Sequence, residues 1–298
     1  MDTYNYKKLP FSGVATALCT PFTDGEVDTD VFSRLVEWQI DMGVSALCVA
    51  GTTGESATLS RAERKRLLSV AKEHSGGKVP VIVGCGSACT DTACTYCRDA
   101  AYLGADALLV ITPYCNKGTK SGVVEHFRRV AEAAAGVPVI LYNVPSRTGV
   151  DLDFSQYKEL SKIKNIVAVK EASSNFTKIT RILEGEMLNV YSGNDDMTVP
   201  VISVGGSGVI SVLSNIAPAE VSAMTVAALS GDYVTASKLA RRYARLVELL
   251  FSETNPAPVK YAMSLLDLLN GEMRLPMSEV TEDTKKKIKA EMQRLSMI

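Results

Sequence analysis

The 298-residue sequence predicts an α/β protein built as a (β/α)8 TIM barrel with a C-terminal helical extension. Short apolar runs alternate with longer amphipathic stretches, which is typical of parallel strands covered by helices. Eight such runs occur, and glycine-rich or polar segments follow many of them. These observations together favour a closed barrel.

The eight apolar runs are predicted as the barrel strands. They cover residues 14–19, 46–50, 79–83, 107–111, 137–142, 166–169, 188–191 and 208–212. Amphipathic stretches between them, such as 30–42, 61–74, 90–103 and 122–135, are predicted as helices, and Ser, Thr or Asp caps open several of them.

The last part of the chain shows helical patterns only. Residues 218–298 contain breaks near 230–231, 255–258 and 274–276, and no linker composition separates them from the preceding region. The sequence therefore predicts a barrel over residues 1–217 and a helical extension over residues 218–298.

An open, doubly wound sheet is the alternative architecture, and in that fold ligand residues gather at one switch point. Here the unusual segments follow five of the runs instead. They are residues 51–56, 112–114, 143–149, 170–173 and 192–195. Convergence from so many strand ends suits a closed barrel, whose active site lies at the C-terminal ends of its strands.

Charge and hydrophobicity limit the classes of partner. The formal net charge is −1 and the charges are spread along the chain, so no basic stripe is available for nucleic acid. The longest apolar stretch, 199–213, is interrupted by proline and glycine and is too short to cross a bilayer. The first ten residues lack the layout of a secretory signal, which predicts a cytoplasmic protein without a membrane partner.

Cysteine and histidine positions indicate no metal site. The seven cysteines are an odd number, which favours reduced thiols. Cys94 and Cys97 form a CxxC pair without a second pair, so we interpret them as ordinary core or helix-face residues. His74 and His126 have charged neighbours in helical stretches and are predicted at the surface.

Lys170 is the first candidate for chemistry. It ends the run 166–169, where alternation directs its side chain into the barrel and burial of an ammonium group is costly. A desolvated amine is the nucleophile that Schiff-base formation needs. Tyr142 closes the preceding strand and is placed to transfer protons beside it. The alternatives are an ion pair with Glu171, a surface lysine and a core tyrosine.

Two further segments carry groups that recognise carboxylates. The turn 51–55 offers the hydroxyls of Thr52 and Thr53 together with several backbone N–H groups, although a tight turn with a helix cap is equally compatible with it. Arg147 presents a fork of donors for a second carboxylate, and the alternative is that it is an ordinary surface arginine.

Six motifs together resemble one family, dihydrodipicolinate synthase. They are GTTGESATL at 51–59, TPYCN at 112–116, YNVPSRTG at 142–149, VKEAS at 169–173, GGSGVISV at 205–212 and NPAPVK at 255–260. The resemblance covers essentially the whole chain in the correct order. It implies condensation of pyruvate with aspartate semialdehyde to 4-hydroxy-tetrahydrodipicolinate in lysine biosynthesis. It also implies a homotetramer made of two dimers, without a metal or organic cofactor.

The resemblance also implies roles for individual residues. Lys170 matches the Schiff-base lysine, Tyr142 the proton-transfer tyrosine and Thr52 the relay hydroxyl. Thr53 matches a ligand of the pyruvate carboxylate, and Arg147 matches the clamp on the semialdehyde carboxylate.

Three more positions follow from the same resemblance. Gly193 and Ile210 match residues whose backbone lines the pyruvate pocket. Cys115 stands where the family's TPYYN motif has a second tyrosine, which normally crosses the dimer interface to complete the relay. Its relay role is therefore in question.

Two other functions stay open at this point. A sister lyase would act on N-acetylneuraminate or a 2-keto-3-deoxy sugar acid, but residues 145–149 suit a small dicarboxylic substrate better than sugar hydroxyls. A barrel that binds a keto acid without turnover is the alternative that Cys115 suggests.

Overall fold

The computed structural model describes residues 7–298, and it contains a closed barrel of eight parallel strands. The predicted (β/α)8 fold is thus confirmed. Around the barrel the strands run in the order β1-β8-β7-β6-β5-β4-β3-β2. They are β1 Gly13–Ala17, β2 Ala46–Val49, β3 Val81–Gly84, β4 Ala107–Ile111, β5 Val139–Asn143, β6 Ile166–Glu171, β7 Asn189–Ser192 and β8 Gly208–Ser211.

Helices follow the strands and continue into the C-terminal part of the chain. They are α1 Thr29–Asp41, α2 Arg61–Ser75, α3 Thr90–Tyr102, α4 Lys120–Ala133, α5 Phe154–Leu160, α6 Phe176–Glu184, α7 Thr198–Ser203, α8 Pro218–Leu229, α9 Tyr233–Leu250, α10 Ala257–Ser264 and α11 Glu282–Arg294. A helical turn, Pro145–Thr148, follows β5, and the strands Phe22–Thr23 and Glu26–Val27 form a small hairpin after β1. Across residues 7–298, every helix is too short or too polar to span a bilayer.

Alternation along the strands separates two hydrophobic layers. Side chains such as Cys48, Ile82, Ile140 and Tyr142 pack together inside the barrel. The intervening strand residues pack outward against the helices in a larger cluster. This period of two fixes which strand residues face the barrel axis, and hence which of them can reach an interior site.

The contact between β1 and β8 closes the barrel, and it depends on Gly208. Its φ is +142°, and an added Cβ would lie 1.8 Å from the carbonyl oxygen of Gly13. Gly13 pairs directly with Gly208 across the two strands. Glycine is required there both by the backbone conformation and by the close approach of the strands.

The helices after the barrel share its core. The first of them, α8, packs against β1, while α9 packs on α8 and α11 packs on α9 and α10. Ile288 and Met292 of α11 are buried in the same cluster as the outward strand residues. The segment that follows α10 returns to the barrel, where Arg274 pairs with Glu63 of α2 at 2.5 Å.

The structure confirms the cysteine interpretation and corrects one histidine. All seven cysteines are free, and Cys94 and Cys97 are buried on α3. His74 is half-buried and bonds to Glu37. The prediction of a surface position for His126 is wrong, because the residue is only 4% exposed and faces α3, where its Nδ1 lies 3.0 Å from Thr90 Oγ1.

Candidate active site

Lys170 lies within β6 near the C-terminal end of the barrel. The strand runs to Glu171, two residues beyond the predicted end, so Lys170 is inside the strand and shares the inward face with Ala168. Its side chain is 5% exposed. In register it stands between Tyr142 of β5 and Tyr191 of β7, and its Nζ lies 4.4 Å from the centroid of the Tyr142 ring. An amine and a phenol therefore meet inside the barrel.

Two buried titratable groups, Cys48 and Asp195, interact with the charge of Lys170. Cys48 is buried inside the barrel, and burial raises the pKa of its thiol to about 11, with only partial opposition from the positive charge of Lys170. Burial also raises the pKa of the Asp195 carboxyl, against the effects of its hydrogen bonds and of the Lys170 charge. Both shifts have burial as their main cause, so these two groups lie in a poorly solvated part of the barrel.

Asp195 is a polar anchor that sequence reasoning placed only within the segment 192–195. Its carboxylate accepts hydrogen bonds from Ser211 Oγ at 2.5 Å and from the backbone N–H groups of Val212 and Leu213 at 3.0 and 3.1 Å. These bonds fix the chain immediately after Ile210, which is buried and pairs with Ala15 of β1. Asp195 thus holds the backbone on which the predicted pocket position Ile210 lies.

The turn after β2 carries the two candidate hydroxyls. Thr53 is buried and its Oγ1 accepts a hydrogen bond from Asn255 Nδ2 at 3.0 Å, while Thr52 is half-buried. Gly54 is tightly enclosed, because a Cβ there would lie 2.9 Å from the Leu18 carbonyl oxygen. The turn is therefore held against its neighbours on both sides.

Arg147 and Gly193 frame the same end of the barrel. Arg147 lies on the exposed helical turn after β5, and its Nη2 donates to the Asn255 carbonyl oxygen at 2.9 Å. Gly193 follows β7 and donates its N–H to Glu171 O at 2.8 Å. An added Cβ on Gly193 would lie 2.6 Å from Ala172 Cβ, so the position excludes a side chain.

Asn255 is the residue that sequence reasoning missed, apart from its place in the motif at 255–260. It bonds to Thr53 through its side chain and to Arg147 through its backbone. It is 6% exposed, and among the described residues its Oδ1 has no hydrogen-bond partner. The contact could not be found from the sequence because Asn255 lies far along the chain from both of its partners.

Cys115 is exposed, unlike the buried residues Thr53 and Lys170. It is exposed on the loop between β4 and α4, and its φ is +72°. Its neighbour Tyr114 is half-buried. The thiol therefore lies where a second chain has access to it.

Comparison with known proteins identifies the family of the chain. Residues 10–295 match the model of the Dihydrodipicolinate synthetase family. The chain belongs to this family. A 4-hydroxy-tetrahydrodipicolinate synthase of Alkaliphilus oremlandii is 43% identical over 290 residues, which is 97% of this chain and 100% of the relative. Its counterpart in Methanosarcina mazei is 46% identical over 292 residues, covering 97% and 99%.

Solved structures of the family have the same fold. The crystal structure of dihydrodipicolinate synthase from Thermotoga maritima superposes with a TM-score of 0.94 at 38% identity, covering 97% of this chain and 100% of the other. The structure from Aquifex aeolicus also gives 0.94, at 39% identity, and covers 96% and 99%. The family resemblance of the six sequence motifs is thus confirmed over nearly the full length.

Proposed function

We infer that this chain catalyses the condensation of pyruvate with L-aspartate 4-semialdehyde to 4-hydroxy-tetrahydrodipicolinate, a lyase-type step of lysine and diaminopimelate biosynthesis. Membership of the family supports this function. The observation that carries it is the buried amine of Lys170, 4.4 Å from the centre of the Tyr142 ring inside the barrel.

The chemistry begins at the amine of Lys170. Its nitrogen attacks the C2 carbonyl of pyruvate, and loss of water leaves an imine. Loss of a methyl proton gives an enamine, whose carbon attacks the aldehyde carbon and forms the new C–C bond. The amino group of the semialdehyde then adds to the imine carbon, closes the ring and releases Lys170. One water molecule leaves overall, and no electrons are gained or lost.

Proton transfer in these steps is assigned to Tyr142 and Thr52. The ring of Tyr142 lies 4.4 Å from the amine, and its phenol gives a proton to the departing hydroxyl of the carbinolamine. Thr52 passes protons onward from the turn after β2. Cys115 stands at the relay's outer position, and its weak thiol donor is supplemented there by water.

Substrate binding is assigned to two groups of residues. The hydroxyl of Thr53 and the backbone around Gly193 and Ile210 hold the pyruvate carboxylate and methyl group. Arg147 holds the carboxylate of the semialdehyde, and its bond to Asn255 O, which also contacts Thr53 through its side chain, supports this assignment.

The central prediction is that pyruvate forms an imine with Lys170. Treatment with pyruvate and borohydride fixes the imine as a stable amine, and intact-protein mass spectrometry reports the added mass. We expect one pyruvate adduct per wild-type chain and none in Lys170→Ala. The control is Lys287→Met, which removes an exposed lysine of α11 that pairs with Asp283, keeps Lys170 and is expected to keep the adduct. An equal adduct in Lys170→Ala would overturn the assignment.

The alternative functions have less support. The relatives and structures reported above are all named as synthases of this reaction. Product formation from pyruvate and aspartate semialdehyde, measured beside N-acetylneuraminate and 2-keto-3-deoxy sugar acids, separates the synthase from a sister lyase. Absence of turnover with every substrate would leave a keto-acid-binding barrel.

We also propose a cytoplasmic homotetramer built from two tight dimers. The exposed position of Cys115 supports a second chain near the active site. Sedimentation velocity tests the assembly, and fractionation of the source cells tests the compartment. A monomer with full activity would show that the site is complete within one chain.

A further inference from the structure

A buried ion pair joins the C-terminal extension to the turn after β2. Lys260 Nζ of α10 lies 2.5 Å from Glu55 Oε1, and the two side chains are 0% and 2% exposed. Removal of both charges from water is expensive, so a buried pair commonly adds little stability over an apolar pair of similar volume. An ion pair does keep its two charged groups at close range, which an apolar pair does not require, and this points to a role in geometry.

Glu55 lies next to the candidate hydroxyls and has an unusual backbone. Its φ is +53°, in the left-handed region that residues other than glycine seldom occupy. Its N–H donates to the Thr52 carbonyl oxygen at 3.1 Å, while its own carbonyl oxygen accepts from the N–H of Thr58 at 3.0 Å. The backbone conformation and hydrogen bonds of Glu55 therefore help to fix the backbone path at Thr52 and Thr53.

The side-chain partners of Glu55 come from the C-terminal extension. Besides its ion pair with Glu55, Lys260 donates to Glu272 O at 2.7 Å and lies 4.4 Å from the centroid of the Phe22 ring. The second oxygen of Glu55 accepts the N–H of Arg274 at 3.2 Å. The carboxylate is thus fixed by two separate segments of the extension.

The extension makes a second contact with the same turn, because Asn255 donates to Thr53 Oγ1 at 3.0 Å. Thr53 and Glu55 are two residues apart, so the extension contacts the turn on both sides of Gly54. A displacement of the ion pair would move both hydroxyls relative to Lys170.

We propose that Glu55 and Lys260 are positioning residues for the reaction, whose buried ion pair holds Thr52 and Thr53 in the geometry that proton relay and carboxylate binding require. The proposal rests on the proposed function. Glu55 and Lys260 act through the turn, and the strain of the left-handed residue is balanced by bonds from the extension.

Three variants test the proposal: Glu55→Gln, Lys260→Met and the double variant. We expect each single variant to lose about 10- to 100-fold in kcat/KM for pyruvate, through a lower kcat and a higher KM, because small misplacements of reacting groups cost that much. The single variants also lower Tm. In the double variant no unpaired charge remains, so Tm recovers toward the wild-type value, but kcat/KM stays low.

Recovery of kcat/KM in step with Tm in the double variant would overturn the positioning role and leave a purely structural pair. Glu248→Gln is the control, because it breaks the exposed pair with Arg245 in the same extension and is expected to leave both quantities unchanged. Borohydride trapping of pyruvate on the wild type keeps the two proposals distinct. Absence of the adduct and of product would overturn the proposed function together with this one, whereas an active wild type with a recovering double variant would overturn the positioning role alone.

Discussion

Arg147 is held at the mouth of the barrel by its hydrogen bond to Asn255 O, and its side chain is exposed. We predict that Arg147→Ala raises the KM for aspartate semialdehyde by about 10- to 100-fold, because a hydrogen bond between charged groups contributes about 1.5–3 kcal/mol. The KM for pyruvate is expected to change little, since we propose that pyruvate binds at Thr53, Gly193 and Ile210. Steady-state kinetics with each substrate varied in turn measures both constants.

The control for Arg147→Ala is Arg34→Ala, which removes an exposed arginine from α1. It is expected to leave both constants unchanged. Equal increases in the two KM values for Arg147→Ala would instead indicate that the arginine organises the turn Pro145–Thr148 as a whole.

Cys115 occupies the position proposed for the outer end of the proton relay, and it lies exposed on its loop. We predict that Cys115→Tyr raises kcat by about 10-fold or more, because a positioned acid–base group restores the relay. Cys115→Ser, which changes little in size, is the matched control and keeps kcat close to the wild-type value. Sedimentation checks that both variants keep the native assembly. Unchanged kcat in both, at full assembly, would show that the relay does not pass through position 115.

The sequence predicts where the strands lie along the chain, but it does not predict their exact ends. Each predicted apolar run contains a barrel strand or overlaps one, since burial on both faces leaves a continuous apolar signature. The predicted end at 169 is two residues short for β6, because Lys170 and Glu171 are polar and only pairing with β5 and β7 keeps them in the strand. Register with a neighbour is not visible in one strand's own sequence.

The same limit explains which site residues could be found from the sequence. Lys170 and Tyr142 follow from the period of two and from their places at strand ends. Asn255 and Lys260 were not singled out, because they act on residues 53 and 55 across some 200 positions of chain. The position of a motif can be read from one sequence, but a contact between distant elements cannot.

The contact between β1 and β8 should tolerate no side chain at position 208. Gly208→Ala places Cβ 1.8 Å from Gly13 O at a φ of +142°, so overpacking and backbone strain add together. We expect a loss of about 3–5 kcal/mol in the free energy of unfolding. Gly104→Ala, at φ +76° with open space around it, isolates the strain and is expected to cost about 1–2 kcal/mol. Urea denaturation compares the two, and equal losses would show that the barrel relaxes around the methyl group.

Across the whole molecule, the barrel and the extension are parts of one packed structure. The division into residues 1–217 and 218–298 stays a prediction, and α8 packs directly on β1. Lys260 and Asn255 connect the extension to Glu55 and Thr53 of the turn after β2. The extension is therefore expected to contribute to both stability and catalysis.

The pH dependence of overall stability follows from His126, which is buried between α3 and α4. Burial lowers its pKa from 6.5 to about 4, while the unfolded chain keeps a pKa of about 6.5. Between these two values the unfolded chain binds the proton and the native state does not, so stability falls as the pH decreases from 6.5 toward 4. From pH 7 to pH 5 the expected loss from this residue is about 2 kcal/mol.

Urea denaturation at both pH values should show that loss in the wild type and in the His74→Gln control, which changes the half-buried histidine paired with Glu37. The loss should be smaller by about that amount in His126→Gln, and the same pH dependence in all three proteins would mean that His126 is protonated in the native state.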